Sequence, residues 1–149
     1  MRAVVQRVDS AIIRVTGRVI SSIGKGLLVF LGVEIGDEME DAEYLLEKIL
    51  NLRIFEGETG KMNFSLLDLS YEMLVVSQFT LLGDCRKGRR PSFTSAEKPD
   101  RAKLLYNYFI SRGLERTKLI ASGEFQAMMK IELVNDGPVT IMLDSKKFF

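Results

Sequence analysis

The chain of 149 residues has no histidine and a single cysteine, Cys85. Without histidine it cannot hold a Ser-His-Asp triad, a Cys-His dyad or a histidine-rich zinc site. One cysteine excludes an intramolecular disulfide and a metal cage built from cysteines alone. An enzyme with this composition must use carboxylates, Lys, Tyr, backbone amides or a group of its own substrate. We therefore expect neither a metal nor a cofactor.

Long apolar runs are also missing. The N-terminal MRAVVQRVDS lacks the apolar core of a signal peptide, and the longest apolar run, GLLVFLGV, is too short to span a bilayer. These absences predict a cytoplasmic protein that does not contact membranes. The formal net charge is only +1, so the total charge favours no polyanionic partner, and only local clusters of charge can indicate one.

The residues that are present favour a folded protein. Hydrophobic residues make up 46% of the chain and charged residues 28%, which is typical of a well-packed core and argues against disorder. Repeats, low-complexity tracts and linkers are not apparent. We interpret residues 1–149 as a single domain.

The first third of the chain predicts β-structure. RAVVQRV (2–8) alternates, with Ala3, Val5 and Arg7 on one face, and SAIIRVTG (10–17) and RVISSIG (18–24) follow between turn glycines. GLLVFLGV (26–33) is a continuous apolar run, which is typical of a strand buried on both faces.

Two helices are predicted next. The first is capped by Asp37 or Asp41, and its inward residues repeat at helical spacing: Ala42, Leu45, Leu46, Ile49 and Leu50. The second runs from about Pro99 to Arg112 and ends at Gly113 as its C-terminal cap. Its inward residues are Ala102, Leu105, Tyr106 and Phe109.

The remaining segments complete a sheet. RIFE (53–56) predicts a short strand, GETGK (57–61) a turn, and EMLVVSQF (72–79) a second buried strand. MMKIELVNDGPVTIMLD (128–144) predicts two strands around a tight connection. The fold class is therefore α/β: a single mixed α/β domain whose sheet-rich body, barrel-like or layered, is covered by two main helices.

The strand at 72–79 ends in hydrogen-bonding residues, Ser77, Gln78 and Thr80. The plainer interpretation is that these side chains satisfy the backbone of a loop. The functional alternative is a polar clamp for an acyl group, because α/β sheets commonly bind ligands at the carboxyl ends of their strands.

A basic loop, RKGRRPSF (86–93), lies a few residues further along the chain. Arg86, Lys87, Arg89 and Arg90 either form an ordinary solvated loop or bind the phosphates of a substrate. Two later stretches have similar alternatives. GEFQAMM (123–129) suits core packing or the wall of an apolar pocket. NDGPVT (135–140) suits a turn or a backbone surface facing a small group, and Pro138 allows a cis bond there.

In combination these motifs point to a family. VVSQFTL, GRRPSF and LVNDGPVTI, in this order and in a chain of this length, resemble the D-aminoacyl-tRNA deacylases, and MRAVVQRV and GLLVFLGV resemble the same family. The resemblance spans essentially the whole chain. It implies a homodimer with active sites at the subunit interface. It also implies hydrolysis of the ester that joins a D-amino acid, or glycine on a mischarged tRNA, to the tRNA 3′ end.

The resemblance also assigns residues. The family's Ser-Gln-Phe-Thr motif matches Ser77, Gln78, Phe79 and Thr80 as the catalytic segment. Its Gly-Pro motif matches Gly137 and Pro138, for which we expect a cis peptide that enters the partner's active site and rejects L-amino acids. Arg7, Phe125 and Met129 match its other substrate-binding positions, and Gln126 is bulkier than the residue expected there.

A mechanism without histidine is then available. The 2′-hydroxyl of the terminal adenosine can position or activate water, while backbone N–H groups stabilise the oxyanion. Thr80 is a weaker candidate, as a nucleophile, because the sequence supplies no base for it. Two other functions are alternatives: a binding module for RNA or a small ligand, without turnover, and a general esterase, which the absence of G-x-S-x-G disfavours.

Overall fold

The computed structural model describes residues 1–57, 59–117 and 119–149. Its helices are α1 (Met39–Asn51), α2 (Leu66–Leu69) and α3 (Pro99–Arg116). Its strands are β1 (Arg2–Val15), β2 (Arg18–Ile23), β3 (Gly26–Gly32), β4 (Phe55–Glu56), β5 (Met62–Phe64), β6 (Glu72–Ser77), β7 (Ile120–Ser122) and β8 (Met129–Asp144). None of the helices in these ranges is long and apolar enough to cross a membrane.

The main sheet curls into a nearly closed barrel. β1 pairs antiparallel with β3 through its first half and with β2 through its second half. β3, β6 and β7 continue the sheet in parallel. Ser21 Oγ on β2 donates a hydrogen bond of 2.6 Å to the Ser122 carbonyl on β7, which joins the two ends of the sheet. The mixed α/β, barrel-like prediction is confirmed.

β3 and β6 are buried on both faces, as the apolar runs predict. Leu27, Val29 and Leu31 of β3 pack in the core beneath the helices, whereas Leu28 packs in the barrel interior. In β6, Met73 and Val75 likewise pack beneath the helices, and Leu74 and Val76 pack in the barrel interior. Because successive side chains of a strand point to opposite faces, each of these strands contributes to two apolar clusters.

Helix α1 buries the five residues predicted from its spacing, but the predicted caps are wrong. The cap is Glu38, whose backbone N–H donates to the Asp41 carboxylate at 2.9 Å in a capping box. Asp37 is instead buried next to the N-terminus. Its carboxylate accepts a hydrogen bond from the Glu34 N–H at 2.6 Å and forms an ion pair with the Met1 ammonium at 2.8 Å.

Helix α3 continues past its predicted end. It runs to Arg116, and Gly113 is a buried helical residue, not a cap. A Cβ at Gly113 would lie 2.5 Å from Ile120 Cδ1 and 3.4 Å from Leu46 Cδ1. The glycine is therefore explained by the close approach of α3 to α1 and β7.

Strand β8 replaces the two predicted strands. It is continuous from Met129 to Asp144 and pairs antiparallel with β1 on either side of residues 136–139, which are not in register with β1. The predicted hairpin turn at 135–138 is therefore wrong. The register of the pairing shifts between Gln6 and Ser10 of β1, which accommodates the additional residues of β8. β1 is likewise one strand where two segments were predicted.

The smaller elements lie between α1 and β6. β4 and β5 form a two-stranded sheet closed by hydrogen bonds from Gly57 N to Lys61 O at 3.0 Å and from Gly60 N to Gly57 O at 2.9 Å. Of the turn predicted at 57–61, Glu58 lies outside the described residues. Helix α2 and strands β5 and β7 were not predicted.

Candidate active site

The Ser-Gln-Phe-Thr segment lies at the carboxyl end of β6. Ser77 is the last strand residue and pairs with Leu31, and the Gln78 N–H donates to the Leu31 carbonyl at 2.8 Å. The chain then enters a 3-10 turn at Phe79–Leu82. Strand β6 thus ends one residue into the motif, and the turn presents the rest of the motif to solvent.

The polar side chains of this turn contact each other. Gln78 Nε2 donates a short hydrogen bond to Thr80 Oγ1. Thr80 is exposed, and the Phe79 side chain is 56% exposed. An amide and a hydroxyl thereby share one side of the turn, beside an exposed aromatic ring.

Three residues that sequence reasoning missed hold the turn in place. Arg2 donates to the Leu81 carbonyl at 3.3 Å, and Ser95 Oγ donates to the Leu82 carbonyl at 3.0 Å. Gly32 lets the turn pack on β3, since a Cβ there would lie 2.6 Å from Leu82 Cδ2 and 2.9 Å from the Gln78 carbonyl. None of the three was singled out by the sequence analysis.

A cleft of about 830 Å³ opens beside the turn. Ser77, Gln78 and Phe79 line one wall, and the segment 125–129 lines another. Phe125 and Met129 therefore lie in the same cleft as the motif. Gln126 also lines it, in a left-handed backbone conformation with φ of 64°, which is uncommon for a residue other than glycine.

Aromatic contacts fix both walls. The rings of Phe79 and Phe93 meet edge to face with centroids 5.1 Å apart. Phe125 packs against Tyr106 at 5.8 Å. The Tyr106 hydroxyl donates to the Val75 carbonyl at 2.8 Å, and burial raises the pKa of this phenol to about 12. Tyr106 is therefore a neutral donor that ties α3 to β6 behind the cleft.

The basic loop starts at the same aromatic wall. Backbone hydrogen bonds between Asp84 and Ser92, at 2.7 and 2.9 Å, close its base next to Phe93. Arg86 binds the Asp84 carboxylate through Nε at 2.9 Å and Nη2 at 2.7 Å. These hydrogen bonds lower the pKa of Asp84 to about 2. The positive charge of Arg86 is thus paired with the carboxylate of Asp84.

The other three cations of this loop have a different environment. Lys87, Arg89 and Arg90 are exposed, and none forms an ion pair within the ranges that the structure describes. The loop therefore presents a net positive charge near the cleft that comes from three residues rather than four.

Gly137 and Pro138 lie on β8, next to Arg7, and their peptide bond is cis, as predicted. Arg7 is buried, and its guanidinium donates to the Ile54 carbonyl at 2.6 Å and to the Asp136 carbonyl at 3.2 Å. It also pairs with the Asp136 carboxylate at 3.1 Å. Arg7 therefore links Asp136, the residue before Gly137, to Ile54 in the segment after α1.

Gly137 occupies a conformation that other residues rarely adopt. Its φ is +122°, and a Cβ there would lie 2.8 Å from Val139 Cγ2 and 3.2 Å from Arg7 Nη2. The position requires glycine both for its backbone angle and for the closeness of Arg7.

The two motifs are far apart within one chain. Arg7 pairs with Leu27 and Leu27 with Met73, four residues before Ser77 on β6. At ~3.3 Å per residue this separates them by ~13 Å along the strands, and three strand spacings add ~14 Å across the sheet. The residues lining the cleft of this chain do not include Gly137 or Pro138.

Electrostatically, the cleft is nearly neutral, with Glu97 and Lys98 as its charged lining residues. Within residues 1–57, 59–117 and 119–149, no group of three or more acidic or cysteine side chains is arranged to hold a metal ion. The other polar side chains that line the cleft are the Ser77 hydroxyl and the amides of Gln78 and Gln126, and its aromatic walls are Phe79, Phe93 and Phe125.

Comparison with known proteins gives consistent matches. The model of the family described as D-Tyr-tRNA(Tyr) deacylase matches residues 4–144. A D-aminoacyl-tRNA deacylase of Syntrophus aciditrophicus is 68% identical over 149 residues, with 100% of both chains covered. The motifs singled out from the sequence thus lie inside a match that covers nearly the whole chain.

Solved structures are similar as well. A protein described as c-Myc DNA unwinding element binding protein is 45% identical, with a TM-score of 0.92 over 97% of this chain and 98% of that one. A probable eukaryotic D-amino acid tRNA deacylase has a TM-score of 0.82 at 19% identity, over 96% of this chain and 98% of the other. The second likeness concerns the fold alone.

Proposed function

The chain belongs to the D-Tyr-tRNA(Tyr) deacylase family, and on that premise we propose that it hydrolyses the ester between a D-amino acid and the 3′ end of tRNA. The products are the free D-amino acid and tRNA. The observation that carries the proposal is the cleft beside the Ser77–Thr80 turn, whose size suits an aminoacylated nucleoside. Its place of action is the cytoplasm, where charged tRNA is used.

The catalytic step is water attack on the ester carbonyl. The C–O bond to the ribose 3′-oxygen breaks, and that oxygen takes up a proton. The neighbouring 2′-hydroxyl of the substrate positions or activates the water, since an ester on ribose is already an activated acyl group. This assignment is supported by the absence of histidine from the chain.

The turn itself supplies the oxyanion site. The first N–H groups of a helical turn have no partner within that turn, and here they belong to Phe79 and Thr80. They stabilise negative charge on the carbonyl oxygen as water attacks. Thr80, Gln78 and Ser77 shape the polar side of the cleft, and Phe125 and Met129 form its apolar side.

The active site is completed by a second copy of the chain. Gly137 and Pro138 lie too far from the turn of their own chain to act there, so we assign them to the partner's cleft in a homodimer. The support for this assignment is the separation along β1, β3 and β6 and the exposure of both residues. Arg7 holds the preceding residue, Asp136, in place.

Gly137 and Pro138 act as a chiral filter. A protein that accepts many side chains cannot select D-residues by fitting a pocket to each, whereas a rigid backbone beside the α-carbon can. An L-side chain would collide with this backbone, but a D-residue or glycine directs a hydrogen atom towards it. The filter therefore admits glycine, and glycyl-tRNA carrying the wrong anticodon is the second substrate.

A different function is binding without hydrolysis. The 45% identical protein is described by its binding to a DNA element, and the basic loop suits any nucleic acid. The discriminating experiment measures free amino acid released from D-Tyr-tRNA in large excess over protein, together with gel-shift binding. Multiple turnovers support the deacylase, whereas binding with no release would establish the binding module.

A further inference from the structure

A second groove, of about 480 Å³, runs along α3 next to the cleft. One wall is the α3 stripe that carries Lys103, Asn107 and Ser111, spaced four residues apart. The other wall is the segment 122–125. Phe125 lines both the groove and the cleft, so the two spaces adjoin at this residue.

The groove combines polar and apolar groups. Lys103 and Asn107 are exposed, and within the described part of the chain the Lys103 ammonium has no ion-pair partner. Ser111 Oγ donates to the Tyr108 carbonyl at 2.9 Å, which leaves its oxygen free to accept. Ile110, Leu114 and Phe125 supply the apolar surface, and Glu124 adds a carboxylate to the wall opposite α3.

This set of groups suits one nucleotide of single-stranded RNA. A lysine binds the phosphate, an amide and a hydroxyl read a base edge or the ribose, and an aromatic ring packs against the base. The amino-acid side chain varies between substrates, so a lysine and an amide at fixed positions would not recognise it. The groove therefore suits the constant part of the substrate.

We infer that this groove binds the cytidine that precedes the terminal adenosine of aminoacyl-tRNA, with Lys103 on the connecting phosphate and Asn107 on the base or ribose. The inference rests on the proposed function, which puts the terminal adenosine in the cleft on the other side of Phe125. It adds a contact that is independent of the basic loop, which begins beyond the Phe79–Phe93 pair.

The test compares three substrates that differ only in length. They are the D-tyrosyl esters of adenosine, of the dinucleotide CpA and of full tRNA. Wild type, Lys103→Ala/Asn107→Ala and the control Lys48→Ala are assayed for kcat/KM on each. Lys48 is an exposed lysine in the last turn of α1, and both altered positions of the double variant are exposed, so folding should be preserved and is checked by thermal unfolding.

The double variant is expected to lose about tenfold in kcat/KM on the CpA ester and on tRNA, through KM, since one phosphate contact and one base contact are removed. Hydrolysis of the adenosine ester stays within about twofold of wild type. The slope of log Kd against log salt for tRNA falls by about 0.7, the value for one phosphate on a single strand.

Two results would overturn the inference. An equal loss on all three esters would assign the groove to the adenosine or the amino acid, and no loss on any of them would make it a solvated surface. If the wild-type protein hydrolyses none of the D-esters, the proposed function of the cleft fails as well, and this outcome is distinct from both results on the variant.

Discussion

Thr80 lies in the turn after β6 with its hydroxyl engaged by Gln78. As a pocket residue it contributes orientation, whereas the substrate's 2′-hydroxyl contributes to water activation. Thr80→Ala should therefore keep hydrolysis of D-Tyr-tRNA within about tenfold of wild type. A substrate ending in 2′-deoxyadenosine should react at least about 100-fold more slowly, the usual scale of acid–base assistance.

Single-turnover rates for the two changes decide between these roles. Rapid hydrolysis of the deoxy substrate together with an inactive Thr80→Ala variant would restore Thr80 as the nucleophile. Gln78→Ala is a useful control, because it releases the Thr80 hydroxyl without removing it.

The four cations of the basic loop are not equivalent. Arg86 is held by Asp84, so Asp84→Asn should release a guanidinium, tighten tRNA binding and steepen its salt dependence by about one phosphate contact. Arg86→Ala alone should change binding little, whereas the double variant Arg89→Ala/Arg90→Ala should weaken binding and flatten the salt slope. Gel shifts at several salt concentrations measure both effects, and equal slopes in all variants would reduce the cluster to a solvated loop.

At the scale of elements, α3 is joined to β6 by the hydrogen bond from Tyr106 to Val75. The pKa of Tyr106, about 12, is above the ordinary value of 10.0, so the folded protein favours the neutral phenol. The stability that this preference contributes is present below pH 10 and is lost as the pH rises towards 12.

The change that tests this link is Tyr106→Phe. At pH 8 it should lower the free energy of unfolding by about 0.5–1.5 kcal/mol, the net value of one hydrogen bond. Between pH 10 and 12 the difference from wild type should shrink, because the variant has no phenol to ionise. Urea unfolding at four pH values measures this, and a constant difference would contradict the assigned role of burial.

Periodicity predicted most of these elements, because the burial of apolar faces decides them. The inward residues of α1 and the double burial of β3 and β6 follow from spacing alone. The prediction for Gly113 was wrong because a glycine near a helix end has two physical uses, a cap or a close contact, and only the position of Ile120 separates them. β8 was divided because Asn-Asp-Gly-Pro is typical of a turn, while its pairing with β1 joins residues 114 to 142 positions apart in the sequence.

The site was predicted in parts. The motif residues of the cleft could be named, since the resemblance identifies them one by one. The roles of Arg2 and Ser95 as anchors of the turn could not, because an arginine or serine hydrogen-bonded to a distant carbonyl has no local sequence signature. The ion pair of Arg86 with Asp84 was equally hidden, although Asp84 is only two residues away.

For the whole molecule, the separation of the turn from Gly137 and Pro138 has a direct consequence. An active site that needs both motifs requires two chains, so the active protein should have a mass of about 34 kDa, twice the 16.9 kDa of one chain. Light scattering after size-exclusion chromatography measures the mass of the active fraction. A fully active species of 16.9 kDa would show that one chain suffices.

The central claim is that a backbone filter, and not a side-chain pocket, selects the substrate. The most direct measurement is the rate of deacylation of D-Tyr-tRNA, L-Tyr-tRNA and glycyl-tRNA by the purified protein at equal concentrations. We predict that the D-tyrosyl and glycyl esters are both hydrolysed. The L-ester should react at least about 100-fold more slowly than the D-ester, since a steric clash of about 3 kcal/mol corresponds to that factor. Equal rates for L- and D-Tyr-tRNA, or hydrolysis of the D-ester without the glycyl ester, would contradict the filter.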